Sequence, residues 1–316
     1  MFTQDRKKIQ NKFIFSLTLT SLILVAEVIG GLISGSLALL SDAAHVLMDV
    51  FALALSFVAL RIALRPVDDR HSFGWQRSEV IAAFVNGASL FVIAIGIWIE
   101  AVKRFSDPVE IKSTEMLIIA VIGLVVNLVV AWILGGEGHD HTHADEHDHD
   151  HAHLTTRNQK GNLNVHSAFL HVLGDAISSL GVIAAALIIR FTGAVWVDPL
   201  ISILIGVIIF VSAFRVLRRS LHILLEGVPE GLSVKAIKER ITSIEMVKEV
   251  HDLHIWNLGS EQISLSAHVI LKDQDQQRHS EALSALKQLL EEEFHIRHTT
   301  IQFEEQPCLD GHGGCN

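Results

Sequence analysis

Two copies of one short pattern carry the chemistry of this sequence. His45-Val46-Leu47-Met48-Asp49 recurs, with one change, as His171-Val172-Leu173-Gly174-Asp175. Each copy lies inside a long apolar run, where an ionisable residue is costly and by default marks a functional site. On a helix, a His and an Asp four positions apart share one face, with a rise of about 6 Å between their Cα atoms. Two such helices side by side offer two imidazoles and two carboxylates to one point, a full tetrahedral donor set for Zn2+. If both pairs were structural, the interior would bury two carboxylates with only imidazoles as partners, at a heavy desolvation cost. A divalent cation cancels both negative charges.

The same charge balance implies a mechanism. Without metal, such a site lowers its charge by binding protons. Zinc ligands must be deprotonated, so metal and protons displace each other. Opened alternately to the two sides of a membrane, the site exchanges Zn2+ for H+, and proton entry drives metal out of the cytoplasm. Held static, the same four residues would make a membrane-tethered metal sensor or buffer; vectorial flux separates the two readings. A zinc protease has less support, because the sequence contains no His-Glu-x-x-His.

The composition fits a membrane protein: of 316 residues 50% are hydrophobic and 19% charged, against about 25% charged in soluble domains. Mean hydropathy is +0.41. Six spans meet the length needed to cross a bilayer, at 13–34, 37–64, 80–99, 116–134, 163–189 and 196–214. They make a transmembrane domain over 1–222. Trp98, Trp132 and Trp196 fall near span ends, as interfacial aromatics do. Lys and Arg crowd the first dozen residues, the segment 61–77, and the stretches after 154 and after 214. That bias puts both termini in the cytoplasm. The polar start leads into a span too long for the apolar core of a signal peptide. The second and fifth spans then run in opposite directions, so the two His/Asp pairs can meet at one depth.

Beyond the spans the pattern changes. Residues 233–244 and 277–294 have helical spacing, while 250–256, 262–271 and 299–303 read as strands. The order α-β-β-α-β suits a ferredoxin-like α+β domain, here 228–305, on the cytoplasmic side, with a flexible tail at 306–316. The net charge of −10 is acidic, so there is no basic footprint for nucleic acid. Cys308 and Cys315 lie in that tail and build no disulfide framework; with His312 between them they either bind a soft metal or hang free.

The segment 138–154 alternates His139, His141, His143, His147, His149, His151 and His153 with acids. It has nothing to fold around and is expected to be disordered. It reads as a zinc collector or as a solvated linker. Within the spans, Glu27, Asn86 and Asn127 either line a path or hydrogen-bond between helices. Asp42, one turn before His45, either relays protons or caps its helix.

These residues together resemble the cation diffusion facilitator family, in its zinc-exporting branch. The resemblance rests on the run from Gly35 to His45, the run from His71 to Arg77, the His-rich loop, the run from Phe169 to Asp175, and Val250 to Trp256. It implies a six-helix, homodimeric transporter of the cell's cytoplasmic membrane, with a cytoplasmic ferredoxin-like domain. It further implies efflux of Zn2+, with Cd2+ or Co2+ as other cargo, against protons as counter-substrate. By position, His45, Asp49, His171 and Asp175 match the family's transport site. Asp68 and His71 match part of a loop metal site whose third ligand position holds Trp75, so that site is expected to be missing. His251, His268 and Glu304 fall where relatives hold a structural or regulatory metal between subunits, with His279 a further candidate. Arg77 and Glu226 occupy the positions of an opposite-charge contact expected to steady the inward-facing dimer.

Overall fold

The computed structural model describes residues 2–135, 159–259, 262–273 and 276–306. Six long helices come first: α1 (Phe2–Ser34), α2 (Leu37–Ala63), α3 (Arg77–Ser106), α4 (Ser113–Gly135), α5 (Gln159–Thr192) and α6 (Val197–Leu224). A small second set follows: α7 (Val234–Thr242), β1 (Val247–Asn257), β2 (Ile263–Leu271), α8 (Gln276–Phe294) and β3 (His298–Glu304). Among the described residues, five helices are long and apolar enough to cross a membrane. The described apolar stretch of α1, Thr18–Ser34, is shorter. Several helices overrun the apolar windows read from sequence; α6 continues through Arg215, Arg218 and Arg219 to Leu224, because helix geometry does not end where apolar residues do.

The chain forms two compact parts, Met1–Phe51 with Ser89–Ala213, and Ala52–Ala88 with Phe214–Asn316. In the first, α4 packs along both α1 and α5. Its core is rich in alanine (Ala38, Ala94, Ala120, Ala185, Ala186, Ala213). Small residues let helix backbones approach closely, which matters in lipid, where burying apolar surface gains little. Large apolar side chains such as Leu32, Val92, Phe191 and Ile208 point outward instead. Trp98 is part-buried and packs against α6. Its indole N–H donates to the Ile203 carbonyl at 3.3 Å, and its ring lies 4.9 Å from Phe210. Gly206 makes room for it, since a Cβ there would stand 2.6 Å from Trp98 Nε1.

In the second part, β1, β2 and β3 form a sheet in that order. The β1–β2 pair is antiparallel and the β2–β3 pair parallel. A ferredoxin-like sheet has a further strand inside its split β-α-β unit. Among the described residues that strand is missing, and β3 pairs directly with β2 after the α8 crossover. Ser233 caps α7 by accepting from the Ala236 N–H. Ile237, Ile241, Ala282, Leu286 and Leu290 from the two helices meet Val250, Leu265, Ala267 and Val269 from one face of the sheet.

Strand β1 does not alternate without a break. Val250 and Ile255 are both buried although an odd number of positions separates them. The register with β2 shifts between His251 and His254, and Asp252 stands at φ 48°. The extra residue is a bulge, and it flips the side chains that follow it to the opposite face.

Candidate metal centres

The first part of the chain brings three of the four repeated residues together. His45 Nε2 lies 3.6 Å from Asp175 Oδ1 and 3.8 Å from Asp49 Oδ2. One ligand atom from each of the three falls within 4.8 Å of the others. The side chains are part-buried at 20%, 27% and 14% exposure. A helical spacing of four sets His45 above Asp49 on α2, and α5 supplies Asp175 from across the gap. His171 lies on α5 one turn before Asp175, and its side chain is outside the described residues. Two carboxylates and an imidazole aimed at one point form a hard-to-borderline donor set suited to a divalent cation.

A second polar layer lies one turn away. The Asp42 carboxylate accepts from the Ser178 hydroxyl at 2.5 Å and the Ser179 hydroxyl at 3.2 Å. Asp42 therefore ties α2 to α5 and is not a helix cap. Asn127 Nδ2 donates to Ser179 Oγ at 3.5 Å. Glu27 is 1% exposed, and its Oε2 has no hydrogen-bond partner among the described residues. Its Oε1 would stand only 2.7 Å from a Cβ at Gly123. In the second part of the chain, Asn86 likewise buries an oxygen, Oδ1, without a partner among the described residues.

The open face of the small sheet holds a second convergence. His251 Nε2 lies 2.9 Å from Glu304 Oε2, and His268 Nδ1 lies 3.1 Å from Glu304 Oε1. His251 and His268 are cross-strand partners on β1 and β2. The bulge adds two residues that sequence reasoning missed. Asp252 Oδ1 lies 2.9 Å from His254 Nε2, and its Oδ2 lies 3.7 Å from His268 Nε2. The two ring nitrogens of His268 thus face two different carboxylates. An aspartate in a strand interior is itself a weak clue to a bulge, but its direction depends on the backbone twist there. His279 stays apart from the cluster. It stacks on Phe303 with ring centroids 5.0 Å apart, on the helix-covered face, and its Nε2 has no hydrogen-bond partner among the described residues.

At the loop before α3, Asp68 accepts from His71 Nδ1 at 2.9 Å. The His71 imidazole, helped by the N–H groups of Arg70 and His71, holds the Asp68 carboxyl below its ordinary range. The Trp75 ring lies against the His71 ring, with centroids 3.7 Å apart and planes tilted by 31°. Arg77 Nη2 donates to Glu226 Oε1 at 2.9 Å. The seven loop histidines, His139, His141, His143, His147, His149, His151 and His153, lie outside the described residues, as do Cys308, His312 and Cys315.

Two family descriptions cover almost the whole chain. The cation efflux transmembrane domain matches residues 13–225. The chain belongs to the cation efflux family. A second description, the cation efflux protein cytoplasmic domain, matches residues 229–306. Among relatives, the metal cation efflux system protein CzcD of Cupriavidus metallidurans is 42% identical over 293 residues, 93% of this chain and 86% of its own. The cadmium, cobalt and zinc/H(+)-K(+) antiporter of Bacillus subtilis is 39% identical over 285 residues, 90% of this chain and 85% of that one. The zinc transporter ZitB of Pectobacterium atrosepticum is 39% identical over 295 residues, 93% and 85%. This cation efflux chain is accordingly a membrane protein with a helical transmembrane domain and a C-terminal domain built on a small sheet.

Proposed function

We propose that this protein is a proton-coupled antiporter that exports Zn2+ from the cytoplasm by alternating access, with Cd2+ and Co2+ as competing cargo, and that it is not an enzyme. The reading rests on one observation above others: ligand atoms of His45, Asp49 and Asp175 converge within 4.8 Å inside apolar helices. His171, one turn from Asp175, completes the His2Asp2 set. Relatives named as zinc, cadmium and cobalt transporters support the cargo, and one named as a proton antiporter supports the coupling. Zinc requires the imidazoles neutral and the carboxylates ionised, so arriving protons release it and arriving zinc releases them. An exchange of one proton per Zn2+ would move net positive charge outward, against an inside-negative potential, at about 2.3 kcal/mol per 100 mV. Exchange of two protons is electroneutral.

In this reading the protein is a homodimer in the cytoplasmic membrane, with both termini on the cytoplasmic side. On the C-terminal domain His251, His268 and Glu304 would hold a second zinc, which would offset the Glu304 charge and steady the strands that carry these residues. The donor set fits: two imidazoles and a carboxylate already point at one another. The deciding experiment loads purified protein into vesicles, imposes a pH gradient and follows zinc inside. Repeated turnover with proton counterflow is expected. Trapping of one stoichiometric load without turnover would favour the static buffer.

A further inference from the structure

Asp198, near the start of α6, is fully buried at 0% exposure, yet it serves a different helix. A helix start leaves its first N–H groups without intrahelical acceptors. At the start of α2, Ser36 acts as the cap, its Oγ accepting from the Leu39 N–H at 3.1 Å. The Leu37 N–H donates to Asp198 Oδ2 at 2.7 Å and the Ala38 N–H to Oδ1 at 3.2 Å. The Ser36 hydroxyl donates to the same Oδ1 at 2.5 Å. A negative charge is favoured at this end of a helix, and here it comes from 160 positions away in the chain.

The turn before α2 is held from other sides as well. Arg104 on α3 donates from Nη1 to the Gly35 carbonyl at 2.6 Å. The same nitrogen lies 3.7 Å from Asp198 Oδ2, and Arg104 Nε donates to Glu100 at 3.2 Å. Ahead of α4, the Lys112 N–H donates to the Ser34 carbonyl at 2.9 Å. Gly35 sits at φ 73°, where a Cβ would stand 2.9 Å from the Glu110 carbonyl oxygen. The buried Asp198 and the part-buried Arg104 offset each other's charge.

His45 comes about two turns further along α2 and Asp49 about three. We propose that Asp198 and Arg104 are positioning residues for the transport site. They fix the height and rotation of α2, and so where His45 and Asp49 stand relative to Asp175 on α5. An α-helix is stiff over two or three turns, so a shift at its start is carried to the ligands. A misplacement of about 1 Å at a reacting centre can cost about a hundredfold. The inference rests on the transport reading given above.

The test measures zinc flux against zinc concentration in vesicles, together with equilibrium zinc binding of the purified full chain against a chelating dye. Asp198→Asn keeps the size and an acceptor oxygen but removes the charge. It should raise the zinc KM and weaken equilibrium binding about tenfold or more, with a smaller loss in the saturated rate. Asp198→Glu should recover part of the affinity. Ser36→Ala and Arg104→Lys are milder and should shift KM in the same direction, and they carry the test if Asp198→Asn does not fold. A lowered melting temperature with wild-type KM and binding in the folded variants would overturn the proposal, leaving Asp198 a purely structural cap. Absence of flux in the wild-type protein would instead overturn the transport reading.

Discussion

Arg77 reaches Glu226 at 2.9 Å, and the carboxylate it meets is carried on a backbone in the left-handed region, at φ 60°. Glu226 stands just past the end of α6, where the Gly227 N–H returns to the His222 carbonyl at 2.8 Å and the Glu226 N–H to Ile223 at 3.1 Å. This is the helix-ending motif that favours glycine. A glutamate there holds strain of about 1 kcal/mol.

Two substitutions at Glu226 separate strain from charge. Glu226→Gly relieves the left-handed backbone and should melt higher than Glu226→Ala by the equivalent of about 1 kcal/mol. Both remove the partner of Arg77 and should reduce zinc flux to a similar extent. The pair is exposed, so its own contribution to stability is at most about 1 kcal/mol. Equal flux in Glu226→Ala and wild type would show that the contact plays no part in transport.

Removal of a carboxylate from the membrane site should be far more damaging to flux than to folding. Asp49→Ala and Asp175→Ala each take away one of the ligands that converge on His45. Zinc flux in vesicles should fall to the background of empty vesicles, while the melting temperature without zinc stays near that of the wild type, because one of two like charges within 4.8 Å of each other is gone. In the wild type, zinc affinity should weaken as pH falls, since protons compete for every ligand. A pH-independent affinity would exclude that competition.

On the open face of the sheet, His268→Ala removes the side chain that faces both Glu304 and Asp252. Metal analysis of the purified protein should show at least one fewer zinc per chain than wild type. His279→Ala, on the other face and stacked on Phe303, should leave that stoichiometry as it is. The opposite pattern would move the ligand from His268 to His279.

Arg240 and Glu293 join α7 to α8 through a two-pronged contact at 2.6 and 2.8 Å. Hydrogen bonding to Arg240, with its charge adding to the effect, holds the Glu293 carboxyl below its ordinary range. A depressed carboxyl contributes stability above its unfolded value, about 4.3, and loses it as pH falls through the lower folded value. Glu293→Gln should therefore melt lower than wild type at neutral pH, and the difference should shrink below about pH 4. A gap that is constant across this range would rule out the ion pair as its source.

Much of this architecture could be read locally. Apolar runs located the membrane helices, and helical and strand spacing gave the α-β-β-α-β order from Val234 to Glu304. The spacing of four between His45 and Asp49 fixed their shared face before any coordinates, because it depends only on helix geometry. What periodicity does not carry is which distant residues meet. The parallel pairing of β3 with β2 accompanies a strand missing among the described residues and is not marked by any feature of β3 itself. The flip at Asp252 arises from a backbone bulge that strict alternation hides, and it turned a trio of candidate ligands into a larger cluster. Nor does periodicity show that His279 stacks on Phe303 at the helix-covered side of the sheet, away from His251 and His268. Asp198 shows the limit most plainly: its partners are backbone N–H groups at the start of another helix, and backbone groups leave no mark in a sequence. Local order comes from short-range sterics and apolar period; long-range convergence comes from packing, and only the folded chain brings those atoms together.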